Sequence, residues 1–272
     1  MIRIESLPNS VVTEIKNFII HKGIQTDPLI KDSVFNLLEQ HCTVLYYPQE
    51  EEDNDGCHVL RLVNGVPEHF VYINTHKPIE KQVFTAAHEL GHILKLHEHL
   101  KEKCSDYYKE KYEESAMSRF AAGILMPQYA FVAQVNNNYK NYSGQDNSIE
   151  LDNLIRFSIY LMDFFFVPFK SVIIRLNEVG FLSKDDAAHI INDENILHQI
   201  NDYIKNLGYK RLGIISDKKS IKDFAELISK VEGKEIFNAQ KLDAIRKKMD
   251  LPSISTEPIE NFTIKISEPK SE

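Results

Sequence analysis

The run Phe84, Thr85, Ala86, Ala87, His88, Glu89, Leu90, Gly91, His92 is the most informative stretch of this 272-residue chain. Pro78 suits the first turn of a helix, and the pattern after it predicts one continuing to about residue 97. On such a helix His88 and His92 stand one turn apart on the same face. Two imidazole nitrogens can then reach one Zn²⁺ at about 2.0–2.1 Å each. Glu89 is offset around the helix, where it suits the role of a general base better than that of a ligand. The opposite face carries Val83, Ala87, Leu90 and Leu94, so the helix is expected to be buried. Two histidines and a glutamate in a buried helix are costly unless something satisfies them. The plain alternative is a pair of core histidines held by hydrogen bonds. Gly91 costs about 1 kcal/mol against Ala in mid-helix, and its use would be close approach by another element.

A catalytic zinc takes a third protein ligand and keeps a fourth position open. His97 and His99 follow closely, but on a continuous helix His97 points away from His92 and His99 lies about 10 Å further on. Lys95 stands where a metzincin-type arrangement would need a glycine break, and Glu98 where it would need the histidine. Both histidines are therefore read as surface residues or outer partners. Glu113 and Glu114 are better candidates, because they open a helix on the stripe of Met117, Phe120, Ala121 and Ile124. Acids at a helix N-terminus also serve simply as partners of the helix dipole, and periodicity does not choose between the two.

Working outward, helices are expected at 11–20, with Val12, Ile15, Phe18 and Ile19 inward, and at 28–40. Residues 42–47 read as a strand and 50–56 as a loop. Strands 57–63 and 69–74 meet at Asn64-Gly65, a hairpin signal. The second of these, ending at Asn74, reads as an ordinary sheet strand that could also be an edge holding an extended peptide, with Asn74 as a substrate contact. The charged segment 98–110 suggests a loop or solvated helix. From it and the helix after it, Tyr107, Tyr108 and Arg119 are candidate stabilisers of a transition-state oxyanion.

Residues 112–125 form a convincing helix closed by Met126-Pro127, and the polar stretch 136–147 reads as a linker. Two helices, 151–166 and 168–179, flank Val167-Pro168 and end at Gly180. The pair has helix-turn-helix character, but 168–179 offers only Lys170 and Arg175, so packing on the catalytic unit is expected rather than DNA binding. Further on, 196–207 is amphipathic, 209–215 suggests a strand, and Ser220 with Asp223 reads as a capping box for a helix over 221–231. The Pro-containing last 20 residues suggest an extended tail.

The pattern is α+β, with a small antiparallel sheet early and helices after it. Three units are expected: a catalytic domain over 1–135, a helical segment over 148–192 packed on it, and an accessory region over 193–272. Forty acidic side chains against 32 basic ones give a net charge of −8, which argues against a nucleic-acid surface. Three cysteines without a C-x-x-C pair read as reduced thiols. The N-terminus lacks a signal-peptide pattern, and the longest apolar stretch, 159–167, is interrupted by Asp163, so no membrane association and a cytoplasmic location are expected.

The segment 83–92, followed by Glu114 to Arg119 and by Phe120, Ala121, Ala122, Gly123, Ile124, Leu125, Met126, Pro127, resembles the ImmA/IrrE family of metallopeptidases. The family pattern is F-T-x-A-H-E-x-x-H, then a glutamate six residues before F-A-A-x-L-L-M-P. The likeness covers about 40–190, since Arg175, Leu176 and Gly180 fit the family's R-L-x-x-L-G segment. It implies a zincin-like core, Zn²⁺ held by His88, His92 and Glu114, and Glu89 as general base. It also implies limited cleavage of an intracellular protein, in several relatives a helix-turn-helix DNA-binding repressor acting in stress responses or mobile-element induction. One place departs: where the family has Glu-Ala-Asn, this chain has Ala116, Met117 and Ser118. Two rival readings are a non-catalytic zinc-containing regulatory module and a toxin-like component of a toxin–antitoxin or phage-defence system.

Overall fold

The computed structural model describes residues 7–50, 54–107, 112–145, 148–232 and 237–251. The chain divides into two compact units, 1–222 and 223–272. In the first unit the strands are β1 (Thr43–Tyr47), β2 (Gly56–Val63), β3 (Val66–Asn74) and β4 (Ser220–Ile221). The β2–β3 hairpin closes where the sequence signal lies. Val63 pairs with Val66, and Asn64 and Gly65 both take positive φ, 53° and 81°, as a two-residue primed turn requires. Inward positions of β1 and β3 alternate as expected: Val44 and Tyr46, then Val71 and Ile73, are buried.

The sheet is mixed rather than antiparallel, with order β2-β3-β1-β4. β3 runs antiparallel to β2 and parallel to β1, while β4 is antiparallel to β1. The cause is the connection from β1 to β2, which passes over the position β3 later fills. Asn74 holds that connection. Its Oδ1 accepts from the Gln49 amide at 2.9 Å, and its Nδ2 donates to the carbonyls of Gln49 and Asn54. β3 is thus interior and β2 is one edge, so of the two readings of strand 69–74 the ordinary sheet strand holds and the edge does not.

Ten α-helices of this unit are described. They are α1 (Asn9–His21), α2 (Val34–Glu39), α3 (Ile79–Ile93), α4 (Leu96–Lys103), α5 (Tyr112–Leu125), α6 (Gln128–Asn138), α7 (Leu151–Phe165), α8 (Phe169–Glu178), α9 (Lys184–Asn192) and α10 (Glu194–Asn206). The second unit contributes α11 (Phe224–Glu232) and α12 (Ala239–Lys248). α3 and α5 form the centre of the first unit. Val83, Ala86, Ala87 and Leu90 are fully buried on one, and Met117, Phe120, Ala121 and Ile124 on the other. Gly91 is where they come closest. A Cβ there would lie 2.8 Å from Met117 Sδ, closer than real packing allows, and 3.2 Å from Phe120 Cδ1, a tight contact.

Several expectations needed correction. The helix from Pro78 does not run to 97: it stops at Ile93, Lys95 turns left-handed (φ 61°, ψ 41°), and α4 starts afresh. The 28–40 helix is shorter, a 3-10 turn over Lys31–Ser33 leading into α2. Residues 209–215 are not a strand. They make one bridge, Pro78 to Ile215, and the Ile79 amide donates to the Ile214 carbonyl. The strand lies instead at Ser220–Ile221, where a helix start was read, and α11 begins at Phe224. α6 and α9 had no clear sequence signal. α6 buries only Phe131 and Val135, and α9 depends on a Ser183 cap that accepts from the Asp186 amide.

α7 and α8 meet at 102° across Phe166, which is left-handed, and Pro168. Arg175 of α8 is not offered to solvent: it is buried and donates to the Met126 carbonyl at 3.1 Å. No single helix among the described residues is long and apolar enough to cross a membrane.

Candidate metal centre

α3 presents His88 and His92 on one face, with ring centroids 5.2 Å apart. The first turn of α5 brings Glu114 against them. Its Oε2 is hydrogen-bonded to His88 Nε2 at 3.0 Å, and its Oε1 lies 3.7 Å from His92 Nε2. One donor atom from each of the three residues lies within 4.8 Å of the others, the spacing of a group able to share a metal ion. The two imidazoles are largely covered, at 17% exposure each, while the Glu114 side chain is 73% exposed. The cluster therefore opens to solvent on the Glu114 side. The donor set, two imidazoles and one carboxylate, is the set of a three-ligand zinc site. Glu113 and Glu114 also sit in the first turn of α5, where acids face the positive end of the helix dipole.

Glu89 is buried at 7% exposure, beside the cluster but outside it. Burial pushes its carboxyl up to about 7, with His88 pulling the other way and Glu114 adding to the rise. The His88 hydrogen bond holds Glu114 below the ordinary carboxylate range. Burial, then His88, pushes His92 toward its neutral form, the form that ligates.

The second nitrogens of the two histidines face further groups. Ser118 Oγ lies 3.3 Å from His88 Nδ1. Ser118 stands where the family pattern has asparagine, so a hydroxyl occupies the place of the amide. Glu113 Oε1 lies 3.7 Å from His92 Nδ1, and its Oε2 lies 3.4 Å from His97 Nε2. His97 Nδ1 in turn bonds the Tyr107 hydroxyl at 2.8 Å. The break at Lys95 is what turns His97 back toward the site. On the sheet side, His58 of β2 stacks 6.3 Å from His92 and bonds His69 of β3 at 2.7 Å.

From the sequence Glu113 reads as a ligand or a helix-dipole partner, without its place beside His92 and His97, and the His58–His69 pair is given no role. The signal for the latter was available. The Asn64-Gly65 turn fixes the register at Val63 to Val66, which puts Leu60 opposite His69 and His58 diagonal to it on the same face. The weaker candidates lie elsewhere. Asn74 is fully buried and spends its amide on the β1–β2 connection. Tyr107 is buried behind His97. Arg119 faces away on α5, with Nε 3.3 Å from Glu178 Oε1. Tyr108 lies outside the described residues.

A family profile for the IrrE N-terminal-like domain, peptidase M78, matches residues 38–177, just over half of the chain. The chain belongs to the M78 family. The matched stretch runs from α2 into α8 and holds the whole His88, His92 and Glu114 cluster. No curated protein matches the chain. Membership of M78 supports a metallopeptidase-type function, and with it a metal and a protein substrate.

Proposed function

We propose that this M78 chain is a cytoplasmic zinc endopeptidase that makes limited, site-specific cuts in an intracellular protein. The observation that carries the reading is the convergence of His88, His92 and Glu114 donor atoms beside a buried Glu89. The three residues fit zinc by donor type and leave room for a fourth position. When bound, zinc would polarise the scissile carbonyl and acidify water. Glu89 takes the proton of the attacking water and passes it to the leaving amine, a task suited to a carboxyl raised toward neutral pH. Ser118 holds the second nitrogen of His88, and the Glu113 carboxylate, 3.7 Å from that of His92, favours its N–H pointing that way. Of the described strands, β2 forms the edge nearest His92, and its free backbone groups suit an extended substrate segment.

The catalytic part is assigned to residues 1–135, with 148–192 as a supporting helical segment and 193–272 as an accessory region. The substrate is assigned as a helix-turn-helix repressor on the strength of the ImmA/IrrE resemblance, and the nucleic acid would be bound by that partner rather than by this acidic chain.

Equilibrium dialysis tests the metal assignment. Wild type and Glu89→Gln should each hold one zinc, and His88→Ala or Glu114→Ala should hold none at the same free zinc. Full zinc binding by Glu114→Ala would remove Glu114 from the ligand set.

A further inference from the structure

A cavity of about 650 Å³ opens between α1, α5 and α8, on the far side of Ser118 from the metal cluster. Its size lies within the range of small-molecule sites and far exceeds one amino-acid side chain. Its walls are of two kinds. Leu7, Val12, Ile174 and Val179 supply apolar surface, and Arg119, Arg175 and Glu178 supply charge.

The charges do not cancel. Arg119 and Arg175 have side chains only 9% and 2% exposed, and both turn to the one Glu178 carboxylate. One positive charge is left over in a largely buried place, an arrangement that costs several kcal/mol unless something offsets it. The Arg175 side chain is otherwise engaged with the Met126 carbonyl, and its Nε is buried without a hydrogen-bond partner. Arg119 has the 3.3 Å ion pair with Glu178 and makes no hydrogen bond to any described residue. A guanidinium offers five N–H donors. Burial, then the neighbouring Arg175, pushes Arg119 down to about 10, which is the mark of a cation short of counter-charge. At the rim, Lys16 Nζ donates to Gln128 Oε1 at 2.9 Å and adds positive potential.

We propose that this cavity binds a small organic carboxylate, with its single negative charge on Arg119 and its apolar body against the Leu7, Val12, Ile174 and Val179 wall. One leftover buried charge asks for a monoanion, since the Lys16 charge is exposed at the rim and screened by water. A planar guanidinium with free donors suits a carboxylate, which it can grip with two parallel hydrogen bonds. Ser118 belongs to the wall of this cavity and also holds His88 Nδ1, so an occupant that draws on the Ser118 hydroxyl changes the setting of His88. Occupancy and metal binding are thereby linked. That linkage rests on the zinc-peptidase reading, whereas carboxylate binding does not.

Calorimetry on the full chain with octanoate, and with 1-octanol as the uncharged match, tests the site. Octanoate should bind and octanol should bind at least about tenfold more weakly, the value of a charge-assisted hydrogen bond. Arg119→Met should lose octanoate binding to the same extent. Because that variant also changes the packing beside the Arg175–Glu178 pair, Ser171→Phe is a second test. It fills the cavity from α8 and leaves the ions in place, and it too should abolish binding. Equal affinity for octanol, or octanoate binding unchanged in a folded Ser171→Phe protein, would overturn the site. If N-acetylglutamate amide displaces octanoate and needs Arg119, the cavity is a subsite for an acidic substrate side chain, and the small-molecule assignment fails. Octanoate should also shift zinc affinity about fivefold in wild type and not in Ser118→Ala. An unshifted affinity in wild type would break the linkage, while the octanoate titrations decide the site separately.

Discussion

Two pairs of histidines follow one another in this chain, the second starting five residues after the first ends, and meet opposite fates. His88 and His92, spaced by four on the unbroken helix α3, converge with Glu114 on one point. His97 and His99, spaced by two on α4, diverge. His97 turns to Glu113 and Tyr107, and His99 reaches Glu14 of α1 at 2.7 Å and packs 4.9 Å from the Phe18 ring. Composition is the same in both places, since each run is rich in His and Glu. Spacing and backbone make the difference. A four-residue interval on one helix aligns two rings, whereas a two-residue interval sends them to different faces. The left-handed Lys95 then decides what the second pair can reach.

The largest effect should come from the first pair. His92→Ala should abolish zinc binding in dialysis at a concentration that saturates wild type, while His99→Ala should leave zinc affinity unchanged. A loss of zinc in His99→Ala would erase the contrast between the pairs. Glu113→Gln comes next, because Glu113 is the point where the pairs touch. Removing its charge beside His92 Nδ1 should weaken zinc by about ten- to a hundredfold, the usual cost of losing a ligand's outer partner. An effect under twofold would leave Glu113 to the helix dipole alone.

Gly91→Ala is smaller and reads the packing that brings Glu114 to α3. Helix propensity favours Ala by about 1 kcal/mol, but overpacking costs about 1–3 kcal/mol. Met117 can yield by turning its side chain, whereas the Phe120 ring is fully buried and cannot move freely. The packing cost should win by about 1 kcal/mol, seen as a lower melting temperature. A raised melting temperature would show that α3 and α5 have room to spare.

The smallest effect belongs to the His99 side. Glu14 is held below its ordinary value first by Asn17 and then by His99. A carboxyl lowered in the folded state contributes stability that is present above its unfolded value of about 4.5 and is lost as pH falls through the folded one. Urea midpoints of wild type and Glu14→Gln should therefore differ at pH 7 and draw together in strong acid. Because the pair is partly exposed, the difference should stay under about 1 kcal/mol. Midpoints that separate further on acidification would contradict the sign.

Much of this was readable in the residues. The hairpin followed from Asn64-Gly65, because few sequences favour two successive left-handed residues. That some element comes close to α3 followed from Gly91, while its identity as α5 came from the packing of Met117 and Phe120 against it. The break at Lys95 did not, since a lysine gives no signal for a left-handed turn and the periodicity continues across it. The mixed sheet was also hidden. Strand order depends on where the β1–β2 connection crosses, and that crossing rests on one buried amide, Asn74, whose partners lie 20 and 25 residues away. The same applies to the excess charge of the cavity. From the sequence Arg119 reads as an oxyanion candidate and Arg175 as part of the R-L-x-x-L-G likeness, and only the packing of α5 and α8 brings them to a single glutamate.

The central claim is that Glu89 and the His88, His92, Glu114 cluster cut a peptide bond. The most direct measurement compares new protein N-termini in cells producing wild type or Glu89→Gln at equal levels, both at rest and under stress. A discrete terminus present only with wild type, and mapping to a DNA-binding repressor, is the expected result and names the substrate together with the reaction. The same terminus at the same abundance in cells carrying Glu89→Gln would contradict the account.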